Sequence, residues 1–184
     1  FVVDDPLKWH RENLKKHRNH YSFLKFLGSK TILKFHCKSW PGVYFNTLVP
    51  WESHLIKYGI ISTDALIKDL THWDHLYVSG RLHKPVVWIR SNIGDSDVLD
   101  DIDISLHRAR QQNLVSAVCA ALLTLPETFS EEELYTSICW LSYDGDRRMV
   151  LGEDRSKVRR LVWGHEGDFR RLYGPVLSEL PQVD

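Results

Sequence analysis

Residues 42 to 86 constrain the fold of this chain more than any other stretch. From Gly42 to Val49, and again from His54 to Ser62, the side chains follow the two-residue period of a strand that is buried on at least one face. The intervening segment, Pro50 to Ser53, is typical of a hairpin connection. The sequence therefore predicts a β-hairpin around which the chain is organised.

Helices are predicted on both sides of this hairpin. Asp5 is a good N-cap and Pro6 suits the first position of a helix, so a helix is expected from about Pro6 to His17. The same kind of pattern predicts helices at Ser22 to Leu27, ending at Gly28, and at Asp64 to Trp73, and then a strand at Pro85 to Ile89.

The hairpin and the segment after it carry a first group of candidate site residues. They are Asn46, Lys57, Arg81, His83 and Lys84. A strand bearing Lys57, followed by a loop with Arg81 and Lys84, predicts a polyanion site, because fixed cations stabilise phosphate charge. The alternative interpretation is a solvated strand edge.

A second group of polar residues lies in and after the first predicted helix. They are His10, Asn13, His17, His20, Tyr21 and Ser22. His10, Asn13 and His17 share one face of the helix. A zinc site built from His10, His17 and His20 is one hypothesis, although the H-x6-H-x2-H spacing matches no usual zinc pattern. The other is that these groups lie at the lip of a pocket or on the surface.

Composition narrows the classes of function. Lys and Arg number 24, as do Asp and Glu, so nothing global favours nucleic acid or an anionic membrane as a partner. The three cysteines have no CxxC spacing, which indicates free thiols in a reducing compartment. The longest apolar run, Val115 to Leu125, is shorter than the roughly 20 residues that span a bilayer. The chain opens on Phe1-Val2-Val3 without a signal or transit peptide, which we interpret as a strand cut in its middle.

The second half of the chain has a helical texture. An acidic linker is predicted at residues 93–105, followed by an apolar helix from Leu106 to Leu123. Ser130 opens a capping box for a helix to about Ile138, and another helix is expected from about Arg155 to Val162 after an extended MVL segment. Three helices with a short β wing suggest a winged-helix-like unit.

Such a unit raises nucleic-acid binding as an alternative function. The candidate phosphate contacts would be Arg147, Arg148, Arg155, Lys157, Arg159 and Arg160. Acidic residues between Glu131 and Asp154 dilute this positive charge, so we expect no nucleic-acid partner.

Five segments of the chain carry motifs in a recognisable order. They are DDPLKWHRENLKKHRNHYSFLKFLG, GVYFNTLVPWESHLIKYGIIST, LYVSGRLHKPV, NLVSAVCAALLTLPETFSEEELY and LSYDGDRRMVLGEDRSKV. Together they resemble the mitochondrial translocator-assembly-and-maintenance family, the matrix-side phosphatidate cytidylyltransferases that are also called mitochondrial CDP-diacylglycerol synthases. The resemblance covers nearly the whole chain.

The resemblance implies an α+β protein with two domains. A polymerase-β-type nucleotidyltransferase domain, lacking its N-terminal part here, would occupy residues 1–92, and a helical, winged-helix-like domain would occupy residues 106–184. The activity implied is transfer of CMP from CTP to phosphatidic acid with Mg²⁺, on the matrix side of the mitochondrial inner membrane, for cardiolipin synthesis.

The resemblance also assigns expected roles to the candidate residues. Lys57 would be catalytic, with Asp4 and Asp5 as further candidates. Substrate-binding residues would be Asn46, Arg81, Lys84, His10, Asn13, His20, Tyr21 and Ser22.

Two departures from the family pattern limit these expectations. The family's Gly-Ser-Gly phosphate loop and an Asp-bearing strand are expected upstream of Phe1, so the main metal carboxylate is not expected within this sequence, and the fragment alone is expected to be inactive. Where the family tends to show Tyr-Gly-Ala-Gly, this chain has Ser39-Trp40-Pro41-Gly42. Of that pattern only Gly42 is present, so a turn or nucleotide contact there would have Gly42 alone.

Phosphatidic acid stays in a bilayer, so a peripheral membrane contact is expected. The candidate segment is Pro6 to Leu27, which carries aromatic and basic side chains. The non-catalytic alternative is an inner-membrane scaffold that supports protein import.

Overall fold

The computed structural model describes residues 1–39, 41–89, 101–143 and 156–180. The chain divides into two compact units, residues 1–68 and 69–184, and the division falls within a helix. The domain boundary predicted after residue 92 is implied by the family resemblance, and it stays a prediction.

The first unit contains the predicted hairpin. Strand β2 (Tyr44–Trp51) pairs antiparallel with β3 (His54–Ser62), and β1 (Val2–Val3) pairs parallel with the other edge of β3. The strand order is β1-β3-β2. The hairpin prediction is confirmed.

A bulge interrupts the hairpin register. Asn46 pairs with Tyr58 and Val49 pairs with Ile56, so two residues of β2 oppose Lys57 alone. One of them, Leu48, has φ 55°, in the left-handed region that residues with a side chain rarely adopt. Bulges of this kind bend a strand and redirect its side chains, often next to functional sites.

Helices of the first unit flank the hairpin. Helix α1 (Pro6–Lys16) begins as predicted, because the Asp5 carboxylate accepts a hydrogen bond from the Lys8 backbone N–H at 2.9 Å. Two 3₁₀ helices, Arg18–His20 and Phe23–Phe26, lead to α2 (Ser29–Lys38).

The prediction of a helix from Ser22 to Leu27 was wrong in type, and α2 was missed. Gly28, at φ 79°, separates the two helical segments. A glycine adopts this positive φ without steric strain. Gly28 can therefore change the chain direction between the 3₁₀ helix and α2.

All regular secondary structure in the described part of the second unit is helical. Its helices are α3 (Thr63–His72, which begins in the first unit), α4 (Val78–Leu82), α5 (Asp101–Leu122), α6 (Glu131–Leu141), α7 (Ser156–Gly164) and α8 (Glu166–Ser178). The capping box at Ser130 is present as predicted. Helix α8 was not predicted.

Two predictions for residues 77–105 are corrected. The strand predicted at Pro85 to Ile89 is absent, since residues 85–89 pair with no strand in the described part of the chain, and α4 before it was not predicted. Val87 and Ile89 are 87% and 85% exposed, so their apolar character does not reflect a buried strand. The predicted linker contains the start of α5, where Asp101 and Asp103 suit the positive end of the helix dipole.

Residues 93–100 of the predicted linker lie outside the described residues. So do the MVL segment of the proposed wing and Arg147, Arg148 and Arg155.

Each unit has its own hydrophobic core. In the first, Leu24, Ile32 and Ile60 are buried with two tyrosines against the hairpin. In the second, the rings of Tyr135 and Phe169 stack 5.3 Å apart among aliphatic residues of α5 to α8. Stacked aromatic pairs stabilise a core beyond the area that they bury.

One close helix contact involves Gly80. A Cβ at Gly80 would lie 2.4 Å from Ser142 Cβ, whereas a Cβ at Gly167 in α8 would meet nothing within 4 Å. We expect Gly80→Ala to destabilise the protein by about 1–3 kcal/mol, because the neighbouring backbone must move.

Gly167→Ala is the matched control, and we expect it to stabilise the protein by up to about 1 kcal/mol through helix propensity. Urea unfolding of both variants checks this pair. Equal effects of the two substitutions would contradict the close approach at Gly80.

Candidate functional site

A chain of hydrogen bonds starts at a backbone carbonyl and runs through the interior of the first unit. His36 Nε2 lies 3.2 Å from the Gly42 carbonyl oxygen, and His36 Nδ1 lies 3.1 Å from His10 Nε2. His10 Nδ1 lies 2.9 Å from the Tyr21 hydroxyl. His10, His36 and Tyr21 are each less than 5% exposed.

The carbonyl fixes where each proton lies. A carbonyl oxygen only accepts, so His36 Nε2 carries the proton and, in the neutral ring, Nδ1 accepts. His10 must then donate through Nε2 and accept at Nδ1. The Tyr21 hydroxyl therefore donates to His10, and the buried half of the chain is satisfied with both histidines neutral.

The outer half of the chain reaches the edge of the unit. Asn13 Nδ2 donates to the hydroxyls of Tyr21 and Tyr58 at 3.1 and 3.0 Å. The Tyr58 hydroxyl lies 2.9 Å from His20 Nδ1 and, since its oxygen accepts from Asn13, it donates to His20. The ring of His20 stacks on that of His17, with centroids 4.8 Å apart.

Burial keeps the groups of this network uncharged. It lowers the pKa of His10 to about 4, with a smaller effect from His36, and it also lowers the pKa of His36. Burial raises the pKa of Tyr21 to about 12. The network is therefore a neutral, directional lattice that joins α1, α2 and the hairpin, and its interior members act by positioning these elements.

Asn46 lies beside this network. It pairs with Tyr58 across the hairpin, so the two side chains share one face of the sheet. Asn46 is 2% exposed, and its Nδ2 makes no hydrogen bond of normal geometry among the described residues, although its side chain is near enough to the Tyr21 hydroxyl to offset slightly the burial that raises the pKa of Tyr21. A buried donor without a well-formed hydrogen bond is costly, which marks Asn46 as a group able to bind something at this face.

Lys57 lies on the opposite face of the hairpin. It precedes Tyr58 along β3, and successive strand residues point to opposite faces. Lys57 is exposed, and its Nζ lies 4.0 Å from the centroid of the Phe45 ring. The structure therefore holds this cation over an aromatic ring, opposite the bulge, and apart from the histidine network.

The two aspartates of the first strand segment have structural contacts. The Thr63 hydroxyl donates to Asp4 at 2.5 Å, and Asp5 caps α1. Within the described ranges, no three His, Cys, Asp or Glu side chains come together as a metal site would require. The zinc hypothesis for His10, His17 and His20 therefore has no support, because His10 is bound within the network.

Arg81 and Lys84 lie in the second unit on and after α4. Arg81 is exposed, and its guanidinium lies 3.9 Å from the Tyr77 ring centroid. Lys84 is partly buried: its Nζ donates to Ser142 Oγ at 2.8 Å and to the Gly80 carbonyl at 3.3 Å. Burial lowers the pKa of Lys84. Arg81 is thus the more available cation of the pair.

Lys84 also borders a cavity of about 530 Å³ in the second unit. Apolar side chains of Val86, Phe169 and Leu172 line it together with Arg171 and Asp168, which form an ion pair. The cavity therefore combines hydrocarbon surface with the cation of Lys84 at its border.

His83 was singled out with these cations but is a core residue. It is fully buried, its Nε2 lies 3.2 Å from Asn113 Oδ1, and Tyr173 donates to its backbone carbonyl at 2.8 Å. Burial lowers the pKa of His83 to about 4.

The structure brings together one group of predicted residues and separates the others. His10, Asn13, His20 and Tyr21 share the network, while Ser22 is exposed beside it. Two members of the network, His36 and Tyr58, were not predicted. Two sequence signals could have found them: His36 lies one helical turn after the apolar Ile32, and Tyr58 has a defined place in the alternation of β3.

Comparison with known proteins identifies the family. The profile of the family described as "Phosphatidate cytidylyltransferase, mitochondrial" matches residues 1–184. Proteins of that name are 55% identical in Danio rerio over 184 residues and 51% identical in both Bos taurus and Homo sapiens over 183 residues. Each alignment covers 100% of this chain, and the shares of those relatives covered are 52%, 51% and 38%.

The chain belongs to this family. It spans about half the length of the Danio rerio and Bos taurus relatives. In the part of the chain that the structure describes, no helix is both long and apolar enough to cross a bilayer.

The protonation state of the network predicts a pH dependence of stability. His10 has a folded-state pKa of about 4 against an ordinary value of 6.5, so between these values the unfolded chain binds more protons than the folded one. The contribution of His10 is fully present above pH 6.5 and is lost as the pH falls toward 4. We expect His10→Gln to reduce proton uptake on unfolding near pH 5.5 by about one proton.

Urea unfolding at a series of pH values measures this slope. Tyr21→Phe serves as the matched control, because it removes a hydroxyl of the same network but no group that titrates in this range. Parallel slopes for wild type and His10→Gln would contradict a neutral, buried His10.

Proposed function

We propose that the full-length protein is a mitochondrial phosphatidate cytidylyltransferase. It would transfer CMP from CTP to phosphatidic acid, giving CDP-diacylglycerol and pyrophosphate. The observation that carries the proposal is the family match over residues 1–184, with relatives of that name up to 55% identical over the whole chain.

We also propose the architecture that the family resemblance implies. Residues 1–92 would form part of a polymerase-β-type nucleotidyltransferase domain, to which the hairpin belongs. Residues 106–184 would form the winged-helix-like domain, with the acidic linker at 93–105. A small sheet with flanking helices, followed by a helical segment, is the arrangement of elements that this proposal needs.

The reaction is an in-line displacement at phosphorus. A phosphate oxygen of phosphatidic acid attacks the α-phosphorus of CTP, the new phosphoanhydride bond forms, and the bond to the bridging oxygen of the β-phosphate breaks. Pyrophosphate leaves with the electron pair. A phosphate monoester is already largely ionised at neutral pH, so the attacking group needs no strong general base.

The main requirement on the protein is then to hold several negative charges close together. Lys57 would contact the triphosphate from its fixed position over Phe45. In the second unit, Arg81 is a separate exposed cation that would bind substrate phosphate. Asn46 would orient a ligand through its amide donors. Asn13, His20 and Ser22 lie where the network meets the edge of the first unit, so they would complete a polar rim.

The lipid substrate would use the cavity next to Lys84. Its apolar lining suits the first methylene groups of the acyl chains, and Lys84 suits the phosphate, whereas Arg171 is already paired with Asp168. The partly desolvated Lys84 already donates two hydrogen bonds, so it would stabilise the lipid phosphate mainly as a nearby positive charge.

Mg²⁺ is the proposed cofactor, and it would supply charge neutralisation at the phosphates. The described residues do not fit it: Asp4 and Asp5 are engaged with Thr63 and α1, and no carboxylate cluster accompanies them. The contribution of these residues is to bind and orient the phosphates. We further propose a peripheral location on the matrix side of the mitochondrial inner membrane, where the product would enter cardiolipin synthesis.

The activity is tested with labelled CTP, Mg²⁺ and phosphatidic acid in detergent micelles. We expect the full-length protein to convert the label into a lipid-soluble form and CTP with Mg²⁺ to raise its melting temperature by mass action. A scaffold for protein import would show neither effect. A melting temperature that rises with duplex DNA and not with CTP would favour the nucleic-acid alternative.

The role of Lys57 is tested by substitution in the full-length protein. We expect Lys57→Ala to lower kcat/KM by about 100-fold or more, because a preorganised cation at the phosphates is lost, and Lys57→Arg to retain part of the activity. Lys8→Ala, which removes an exposed cation from α1, is the control and should leave kcat/KM unchanged. A Lys57→Ala enzyme with near wild-type kcat/KM would show that Lys57 does not contact the phosphates.

A further inference from the structure

One stretch of the first unit carries a concentrated positive charge. Residues 13–51 contain seven Lys and Arg side chains and no Asp or Glu, in a chain whose Lys plus Arg and Asp plus Glu are both 24. Most of these cations are exposed: Lys15, Lys16, Arg18, Lys30, Lys34 and Lys38. Lys25 is half-buried. A surface of this charge attracts anions, with a range of about 8–10 Å at physiological salt.

Large apolar side chains are exposed within the same stretch. In the 3₁₀ helix Phe23–Phe26, three residues per turn place Phe23 and Phe26 on one face. They are 69% and 73% exposed, whereas Leu24 on another face is buried in the core. The guanidinium of Arg18 and the Nζ of Lys25 lie 5.7 and 5.4 Å from the Phe26 ring centroid. Aromatic and cationic groups therefore alternate on the outer surface.

Helix α2 continues this surface with three distinct stripes. Ile32 and His36 face the core. Lys30, Lys34 and Lys38 recur every four residues and lie about 160–200° around the helix from that buried stripe, by the helical period. Phe35, 51% exposed, lies between the two stripes, one turn beyond Thr31, whose hydroxyl donates to the Leu27 carbonyl. An aromatic shoulder beside a lysine stripe is the pattern of an interfacial helix.

We propose that this surface, the exposed side chains of residues 23–38, docks the protein onto an anionic lipid bilayer. Phe23, Phe26 and Phe35 would enter the boundary between headgroups and acyl chains, where aromatic rings are stable. The lysines would contact lipid phosphates. Charge complementarity selects this occupant, because a surface without a single carboxylate suits a sheet of phosphates better than a protein surface of mixed charge.

The surface differs from the face of Pro6 to Leu27 that the sequence suggested. Tyr21 is 2% exposed and Trp9 packs against the core of the first unit, so neither is available to lipid. The inference rests on the proposed function, because an enzyme acting on phosphatidic acid must bring its site to the membrane.

Vesicle binding of the full-length protein tests the surface. Vesicles of phosphatidylcholine alone are compared with vesicles that contain about 20 mol% phosphatidylglycerol or phosphatidic acid. We expect tight binding to both anionic preparations, and Lys30→Glu/Lys34→Glu to weaken it by about 20-fold or more and to remove most of its salt sensitivity. Phe23→Ser/Phe26→Ser should weaken binding about tenfold on every preparation.

Lys8→Glu/Arg108→Glu is the matched control, because it changes the net charge by the same amount at two exposed positions outside residues 13–51. It should leave vesicle binding within about twofold of wild type. Equal weakening by both charge reversals would overturn the proposal, since net charge alone would then explain binding. Binding that requires phosphatidic acid and ignores Lys30→Glu/Lys34→Glu would overturn it as well.

A fluorescent label distinguishes lipid from other occupants of the surface. Cys37 is exposed on α2 near the lysine stripe, and Cys119 is exposed on α5, whereas burial raises the pKa of the Cys139 thiol to about 11 and protects it from labelling. An environment-sensitive dye on Cys37, with Cys119→Ser, should shift to the blue when anionic vesicles are added. A dye on Cys119, with Cys37→Ser, should not.

A Cys37 dye that is already blue-shifted in the free full-length protein, and that vesicles do not change, would show that another part of the protein covers the surface. Turnover on phosphatidic acid in detergent micelles separates the two proposals. If micellar turnover is absent but the vesicle results hold, the reaction is wrong and the docking surface stands. If turnover is normal and the surface variants bind vesicles like wild type, the surface is wrong and the reaction stands.

Discussion

The second unit depends on one buried carboxylate. Asp69 is 3% exposed and accepts five hydrogen bonds between 2.9 and 3.0 Å. The donors are the backbone N–H groups of His75, Leu76, Val78 and Ser79 and the hydroxyl of Ser79. A buried charge without partners would strongly destabilise the fold, so the turn is held in the one conformation that supplies all of them.

This constraint explains two features that local sequence rules do not. Trp73 and Leu76 adopt φ values of 55° and 51°, which residues with large side chains normally avoid, because the turn must direct its N–H groups inward. The same contacts supply partners for the first N–H groups of α4. Arg81 lies on α4 and Lys84 just after it. Asp69 therefore positions both cations indirectly, because it fixes the turn from which α4 begins.

The elements that the sequence predicted well are those decided by near neighbours. The Asp5 cap, the hairpin alternation and the Ser130 capping box depend on residues within about four positions of each other. Helix α4 depends on Asp69, nine residues before its first residue, so no pattern in LYVSGRLHKPV reveals it. The candidate site divides in the same way: the polar pattern in and after the first predicted helix pointed to His10 and Tyr21, while their partners His36 and Tyr58 come from α2 and β3.

The hairpin explains why the predicted site residues do not form a single cluster. Its period of two residues sends Asn46 and Tyr58 to the face that packs on α1, and Lys57 to the other face. The first face is buried, and burial lowers the pKa of His10 and His36 there, so these histidines stay uncharged at neutral pH. The second face carries an exposed cation opposite a bulge.

A neutral interior matters because residues 13–51 contain seven Lys and Arg side chains and no Asp or Glu. A protonated histidine beneath such a surface would be both desolvated and repelled by its neighbours. The directional lattice from the Gly42 carbonyl to His20 avoids this, because it satisfies each ring nitrogen that it uses without adding a proton. Hydrogen bonds between neutral groups therefore hold α1, α2 and the hairpin together. The positive charge lies on the outer surface, where we propose that it binds phosphates.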